Sequence, residues 1–377
     1  MIRLEHLTKV FGAPGSGVTA VNDVNFEVPA GEICVLLGPS GCGKTTTMKM
    51  INRLIEPTGG KVYIDGRDTD MIDPIQLRRS IGYVIQQIGL FPNKTVAENI
   101  CVVPDLLGWD RKKSRARAAE LLEMVAMEPA SFMERYPKEL SGGQQQRVGV
   151  IRALAADPPV MLMDEPFGAL DPINREVIQD EFLRMQETLR KTIIFVSHDL
   201  DEAVKMADKI AIFRAGRLEQ FSTPDRLLAN PATPFIETFL GSDRTLKRLR
   251  LLRVAEAMLA EVDVVRREDP VEKAGELMRA KGYPAVLMLE PDGRPGGVVS
   301  GDVISGGQAS ARSGTCGDHA EPIRAAVPVE ADLHSTVALM FTHDMPIMPC
   351  VDEDGQFQGA VTYRSIIKSL SIPETPA

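Results

Sequence analysis

Eight residues, GPSGCGKT from Gly38 to Thr45, carry the first recognisable chemistry in this 377-residue chain. Their spacing is G-x-x-x-x-G-K-[ST], that of a phosphate-binding loop. Gly38, Gly41 and Gly43 let backbone N–H groups converge on phosphate oxygens, and the helix that follows adds positive potential at its start. Lys44 then reaches the β- and γ-phosphates, and the Thr45 hydroxyl ligates Mg²⁺. Cys42, inside the loop, reads as a tolerated small residue rather than a redox switch. A second group ends the apolar run VMLMDEP, where Asp164 can face a metal and Glu165 can position and deprotonate an attacking water. His198, after TIIFVS, can hydrogen-bond a γ-phosphate and a water. Gln86, after IGYVI, can ligate Mg²⁺ through its amide oxygen, and Gln87 beside it is a rival for that role.

A third group is LSGGQQQRV, Leu140 to Val148. Ser141 reads as the cap of a helix running through QQQRVGVIRALAA, with Val148 and Ile151 on its buried side and the glutamines partly exposed. Gly142 and Gly143 let the backbone approach a phosphate. The chain's own phosphate loop already surrounds its phosphates, so a second anion-binding helix start is best explained by another chain's nucleotide. A helix cap without a ligand is the alternative.

These groups need elements to position them. Residues 1 to about 240 alternate strand-like and helical stretches. Strands are expected at Glu32–Leu37, Lys61–Ile64, Ile81–Gln86, Val160–Asp164, Thr192–Ser197 and Lys209–Phe213. Several are near-continuous apolar runs, as strands buried on both faces of a parallel sheet read. The first thirty residues alternate more like antiparallel edge strands. An α/β layered domain follows. Residues 241–259 are basic with a helical period and read as a connector. Beyond them, shifting the sequence by 62 residues brings Leu277, Met278, Pro284, Asp292, Gly293, Gly297, Val299 and Ile304 onto identical residues. Each repeat unit reads helix, strand, DG turn, strand, helix. The units span 260–305 and 319–371, with a small-residue linker at 306–318, and SIPETPA reads as a frayed tail.

Composition narrows the classes. Hydrophobic content of 44% with 25% charged residues is that of a globular protein, and a net charge of −9 argues against nucleic acid as the main partner. No apolar run approaches a membrane helix and no signal core opens the chain, so a cytoplasmic location is expected. Five scattered cysteines without a CxxC predict reduced thiols rather than a zinc site.

Taken in order, these motifs resemble the ATP-binding subunits of ABC transporters over residues 1–240: Walker A at 38–45, Gln-loop at Gln86, signature at 140–144, Walker B at 160–165, GALD at 168–171 and a switch histidine at His198. The resemblance implies a P-loop NTPase fold with a RecA-like core, an antiparallel β subdomain and a helical subdomain. It implies ATP held by Gly38, Pro39, Ser40, Gly41, Cys42, Gly43, Lys44, Thr45 and Thr46, with Gln86, Asp164 and His198. Phe11 matches the aromatic that stacks on adenine, and core packing is its alternative. Mg²⁺ falls to Thr45, Gln86 and Asp164, and catalysis to Glu165, His198 and Gln86. Ser141, Gly142, Gly143, Gln144 and Asp171 would reach the ATP of a second copy.

The 62-residue repeat looks like a tandem CBS pair. With it, the chain resembles the osmoprotectant importers for glycine betaine, choline, carnitine or proline. That implies a homodimer under a membrane permease at the cytoplasmic face of the membrane, fed by an extracytoplasmic binding protein. Other readings are a soluble ABC-type ATPase of DNA repair or translation, a regulatory binding module without catalysis, and an importer of another small solute such as an amino acid. The repeat departs from nucleotide-binding CBS units, which often carry T/S-x-x-D: here stand Ser300-Gly-Asp302 and Thr362-Tyr-Arg-Ser365. Residues 261–377 hold 10 Lys+Arg and 18 Asp+Glu, an acidic module that an anionic leaflet repels, so the basic segment Lys247–Arg253 is the better candidate for ionic-strength sensing.

Overall fold

In the computed structural model, residues 1–12, 17–86, 89–168, 170–301 and 314–370 are described. They divide into two units, Met1–Leu240 and Gly241–Ala377.

The first unit holds two sheets. One is built from the early alternating segments: β1 (Ile2–Phe11), β2 (Val18–Val28), β4 (Gly59–Ile64) and β5 (Arg67–Asp68), antiparallel in the order β2-β1-β4-β5. The other has the order β10-β9-β3-β8-β7-β6. Its strands are β3 (Ile33–Leu37), β6 (Ile81–Val84), β7 (Val160–Asp164), β8 (Thr192–Val196), β9 (Lys209–Arg214) and β10 (Arg217–Ser222). All its pairs are parallel except the β9–β10 hairpin. Every residue of β3, β7 and β8 is buried, which is why these runs show no polar alternation. Of the six expected strands, five enter this sheet. The run at 61–64 instead pairs antiparallel with β1, and its mostly half-exposed pattern fits a sheet with one wet face.

Helices join the strands. They are α1 (Lys44–Ile51) after β3; α2 (Pro74–Arg79) before β6; α3 (Val96–Leu106), α4 (Arg111–Met124), α5 (Pro129–Phe132) and α6 (Gly142–Leu154) between β6 and β7; α7 (Pro172–Leu189) after β7; and α8 (Leu200–Met206) after β8. The crossovers place the carboxyl ends of β3, β8, β7 and β6 side by side, where ligands of open α/β sheets sit. The phosphate loop, His198, the Asp164–Glu165 pair and Gln86 follow these four ends.

In the second unit the repeat becomes two copies of one structure. Strand Val265–Arg266, helix Val271–Lys281 and hairpin Ala285–Leu289 with Pro295–Ser300 recur 62 residues on as Val327–Pro328, Leu333–Thr342 and Ile347–Val351 with Phe357–Thr362. Both hairpins shift register at the same place, Met288/Leu289 and Cys350/Val351. Ala285, Leu287 and Val298 of the first copy share a core with Ile347, Met348 and Val361 of the second. The repeat identity at Ile304, the Asp302 position, linker residues 306–313 and the SIPETPA tail lie outside the described residues.

Residues 241–259 do not form the single connector helix expected. Two short helices, Arg244–Leu249 and Val254–Ala257, flank a break, and Leu249, Leu252, Val254 and Ala257 enter the core of the second unit. The charges are used locally. Arg248 is buried and donates to the Leu370 carbonyl at 2.5 Å, and Arg253 donates to the Glu330 carbonyl at 3.0 Å. Two arginines of the segment Lys247–Arg253, expected as the candidate for ionic-strength sensing, are therefore engaged with backbone carbonyls, because an apolar stripe drew the segment inward. In the second copy Thr362 and Ser365 are buried and cap the last helix reciprocally, Thr362 N to Ser365 Oγ at 3.0 Å and Ser365 N to Thr362 Oγ1 at 3.1 Å.

Candidate active site

Gly38 and Gly43 shape the loop between β3 and α1. Gly38 has φ 144 and Gly43 φ 106, both in territory that favours glycine. A Cβ on Gly38 would lie 2.2 Å from the Phe213 carbonyl, and one on Gly43 2.5 Å from the Ala20 carbonyl. Ser40 to Thr46 line a cavity of about 490 Å³ together with Gln86, Glu165 and His198. Lys44 is buried and donates to the carbonyls of Gly38 at 2.6 Å and Pro39 at 3.0 Å, which fixes its ammonium within the loop.

Thr45 Oγ1 donates to Asp164 Oδ1 at 3.1 Å. Burial at the end of β7 pushes the Asp164 carboxyl above the usual range, against the Thr45 bond and the nearby Lys49 and Lys44 charges. Burial likewise pushes Tyr83, on neighbouring β6, up to about 12.

Glu165 lies one residue past the strand with φ 48, so a sharp turn rather than strand alternation redirects its side chain. Gln86 Nε2 donates to Glu165 Oε2 at 2.9 Å, and His198 Nδ1 lies 3.5 Å from Glu165 Oε1. Gln86 and His198 each stand two residues beyond their strands, β6 ending at Val84 and β8 at Val196. The three side chains expected to do the catalysis are thus brought together. Gln87 lies outside the described residues.

A shell of buried and half-buried polar groups lies beside them. Glu202 of α8 accepts from Ser197 Oγ and, at 3.1 Å, from Gln179 Nε2 of α7, and its carboxyl is pushed up by burial. Arg175 of α7 donates to the Leu170 carbonyl at 3.0 Å and to Asp199 Oδ2 at 3.3 Å. Gln179 and Glu202 gave no motif signal in the sequence, since polar residues on helices ordinarily read as solvent-facing.

The remaining predicted residues stand apart from the cavity. Phe11, 43% exposed at the end of β1, has Lys9 Nζ 5.1 Å from its ring centroid and does not line the cavity. Asp171 caps α7, and its bonds to the side chain and backbone of Asn174 hold its carboxyl below the usual range. Ser141 caps α6 in a capping box: Gln144 N donates to Ser141 Oγ at 3.3 Å, and Ser141 N donates to Gln144 Oε1 at 2.9 Å. Ser141, Gly142, Gly143 and Gln144 are absent from the cavity lining. Among the described residues, a Cβ on Gly142 would meet nothing within 4 Å, so none of their packing demands glycine there. Val148 and Ile151 are buried as expected, but so is Gln146, which shares a face with Gly149, Val150 and Ala153. That spacing was the available signal.

The five cysteines are free and buried. Among the described residues, no cluster of three or more His, Cys, Asp or Glu could hold a metal ion, and no helix is long and apolar enough to cross a membrane.

Comparison with known proteins agrees with this geometry. Residues 21–168 match the family described as ABC transporter. The chain is 51% identical to an osmoprotectant import ATP-binding protein of Salmonella typhimurium, over 100% of this chain and 97% of that one. It is 46% identical to a glycine betaine/carnitine/choline transport ATP-binding protein of Bacillus subtilis, over 97% and 95%. A solved structure, a dimeric post-hydrolysis state of an ATP-binding cassette bound to ADP and Pi, matches at 36% identity and TM-score 0.53, covering 59% of this chain and 98% of that one. With relatives this similar along the full length and this arrangement at the strand ends, the chain belongs to the ABC transporter family, among its ATP-binding proteins.

Proposed function

We propose that two copies of this chain bind two ATP molecules between them, and that hydrolysis energises import of a quaternary-amine osmoprotectant through a membrane permease. The observation that carries the two-chain arrangement is Gly142, a glycine at a capped helix start that neither backbone conformation nor packing among the described residues requires. An approach from outside the chain accounts for it, and Asp171 belongs to the same face in this reading. Glycine betaine, choline or carnitine as cargo is supported by the names of the relatives, and proline betaine is a quaternary amine of the same class. A place at the cytoplasmic face of the membrane and an extracytoplasmic solute-binding protein that supplies the permease belong to the same reading. An amino acid importer is the alternative.

Each site then works through this chain's own residues. The loop amides of Gly38 to Thr46 and the Lys44 ammonium bind the phosphates. Phe11 takes the adenine face. Glu165, held by Gln86 and facing His198, orients a water and accepts its proton, and His198 hydrogen-bonds the γ-phosphate. Thr45 and Asp164 offer two hard oxygens 3.1 Å apart, a donor set that suits Mg²⁺ completed by phosphate oxygens, with Gln86 a further ligand. Bound there, Mg²⁺ supplies neutralisation of phosphate charge. The doubled 62-residue unit is assigned as the tandem CBS pair, over 260–305 and 319–371.

Uptake of labelled glycine betaine and choline by a strain lacking this chain tests the reading. Return of uptake with the wild-type gene but not with Glu165→Gln supports it. Unchanged uptake of both solutes in the deletion strain overturns the assigned cargo.

A further inference from the structure

We infer that Gln146 is a positioning residue that ties the helix start offered to the partner's nucleotide to the carboxylate of this chain's own site. The three glutamines of GGQQQR do different things. Gln144 closes the capping box with Ser141. Gln145 Nε2 donates to the carbonyls of Pro137 at 3.0 Å and Leu140 at 3.2 Å, holding the chain that enters α6. Gln146 turns inward, is 3% exposed, and donates through Nε2 to the carbonyl of Pro166.

Pro166 follows Glu165, whose φ of 48 is a left-handed conformation that a non-glycine residue keeps only where its surroundings hold it. Among the described residues, three hydrogen bonds hold the backbone of Glu165 and Pro166. Glu165 N donates to the Val196 carbonyl at 3.1 Å, and Gly168 N donates to the Glu165 carbonyl at 3.2 Å. The first comes from β8 and the second from the turn itself. Gln146 is the one of the three that comes from α6. Ser141 and Gln146 lie roughly one and a half helical turns apart on one continuous hydrogen-bonded element. A small displacement at the helix start is therefore delivered to the peptide next to Glu165. Misplacement of a catalytic group by as little as about 1 Å can cost about 10²-fold in rate. Coupling of this kind is reciprocal, so the geometry at Glu165 also biases how the helix start meets the partner. The inference rests on the proposal that Ser141 to Gly143 close over a second chain's ATP.

The test measures steady-state ATP hydrolysis, affinity for a fluorescent ATP analogue and thermal midpoint on the full chain. The variants are Gln146→Met, Gln146→Leu, Ser141→Ala and the Ser141→Ala/Gln146→Met pair. Met and Leu both keep bulk and remove the amide donor, so Leu carries the test should Met fail to fold. We expect kcat to fall about 10- to 100-fold in the Gln146 variants with affinity within about twofold. The pair should lose less than the product of its single losses, since both act along one helix. Wild-type kcat in the Gln146 variants alongside a slow Ser141→Ala overturns the inference alone. A joint fall of kcat, affinity and thermal midpoint also overturns it, because Gln146 would then serve only the fold. Slow Gln146 variants with a wild-type Ser141→Ala overturn the coupling through the two-chain reading itself.

Discussion

Asp164 shows the conflict built into the site at the scale of single residues. Its carboxyl is buried and held above the ordinary range, so the ionised form that a cation needs destabilises the empty fold. The sign follows from linkage. A carboxyl whose folded pKa is raised favours the fold below its unfolded pKa and loses that contribution as pH rises through the folded value. Asp164→Asn should therefore raise the melting temperature of the nucleotide-free protein by about 2–4 °C near neutral pH, for roughly 1 kcal/mol, while abolishing hydrolysis. The difference should shrink as pH falls through the carboxylate range, which differential scanning calorimetry across pH reads directly. A lower melting temperature for Asp164→Asn at neutral pH would contradict the account. Glu165 is different: it has water-facing room and two partners. Glu165→Gln should bind ATP with near wild-type affinity and hydrolyse it about 10²- to 10⁴-fold more slowly. A wild-type rate would remove Glu165 as the base. Both residues were legible in VMLMDEP, but the turn that separates their directions was not, since a φ of 48 at glutamate has no local sequence signature.

At the scale of elements, glycine has opposite meanings in the loop before α1 and at the start of α6. At Gly38 an added Cβ meets the Phe213 carbonyl of β9, so Gly38→Ala should distort the loop, weaken ATP binding and lower the thermal midpoint. At Gly142 an added Cβ meets open space, so Gly142→Ala should leave stability unchanged or raise it by up to about 1 kcal/mol, as glycine is a poor helix residue. Its hydrolysis should nevertheless fall. Thermal unfolding and ATPase assays on the two variants separate a glycine kept for the fold from one kept for a ligand. Equal destabilisation in both would contradict that distinction. The helix, strand and loop order around these glycines was readable from apolar runs and caps. Which sheet a run joins was less so. The four residues at 61–64 look like the other strands, and only a partner some sixty residues earlier, β1, decides their place. Gln146 and Glu202 were missed for a related reason: a polar residue on a helix is read as wet until the neighbouring element is known.

At the scale of the molecule, the doubled second unit and the absorbed segment 241–259 show how a repeat can be plain in sequence while its boundary is not. Identities 62 residues apart gave the copies away. The basic residues before them masked the apolar stripe Leu249, Leu252, Val254 and Ala257 that carries this segment into the core. Arg248→Ala should accordingly destabilise the second unit, by roughly 2–3 kcal/mol for a buried charged hydrogen bond, rather than selectively change salt dependence. Denaturant unfolding and salt-dependent ATPase measurements distinguish the two outcomes.

The central claim is that each ATP is closed over by the signature helix of another chain. Release of a fluorescent ATP analogue from Glu165→Gln/Gly142→Asp, a chain that keeps its phosphate loop but lacks a usable signature, tests this most directly. Added Lys44→Ala, which has lost its own phosphate loop but retains its signature helix, should slow that release about tenfold, equivalent to about 1.4 kcal/mol of added stabilisation. Added Lys44→Ala/Gly142→Asp should not slow it at all. The same release rate with either added chain would contradict the account.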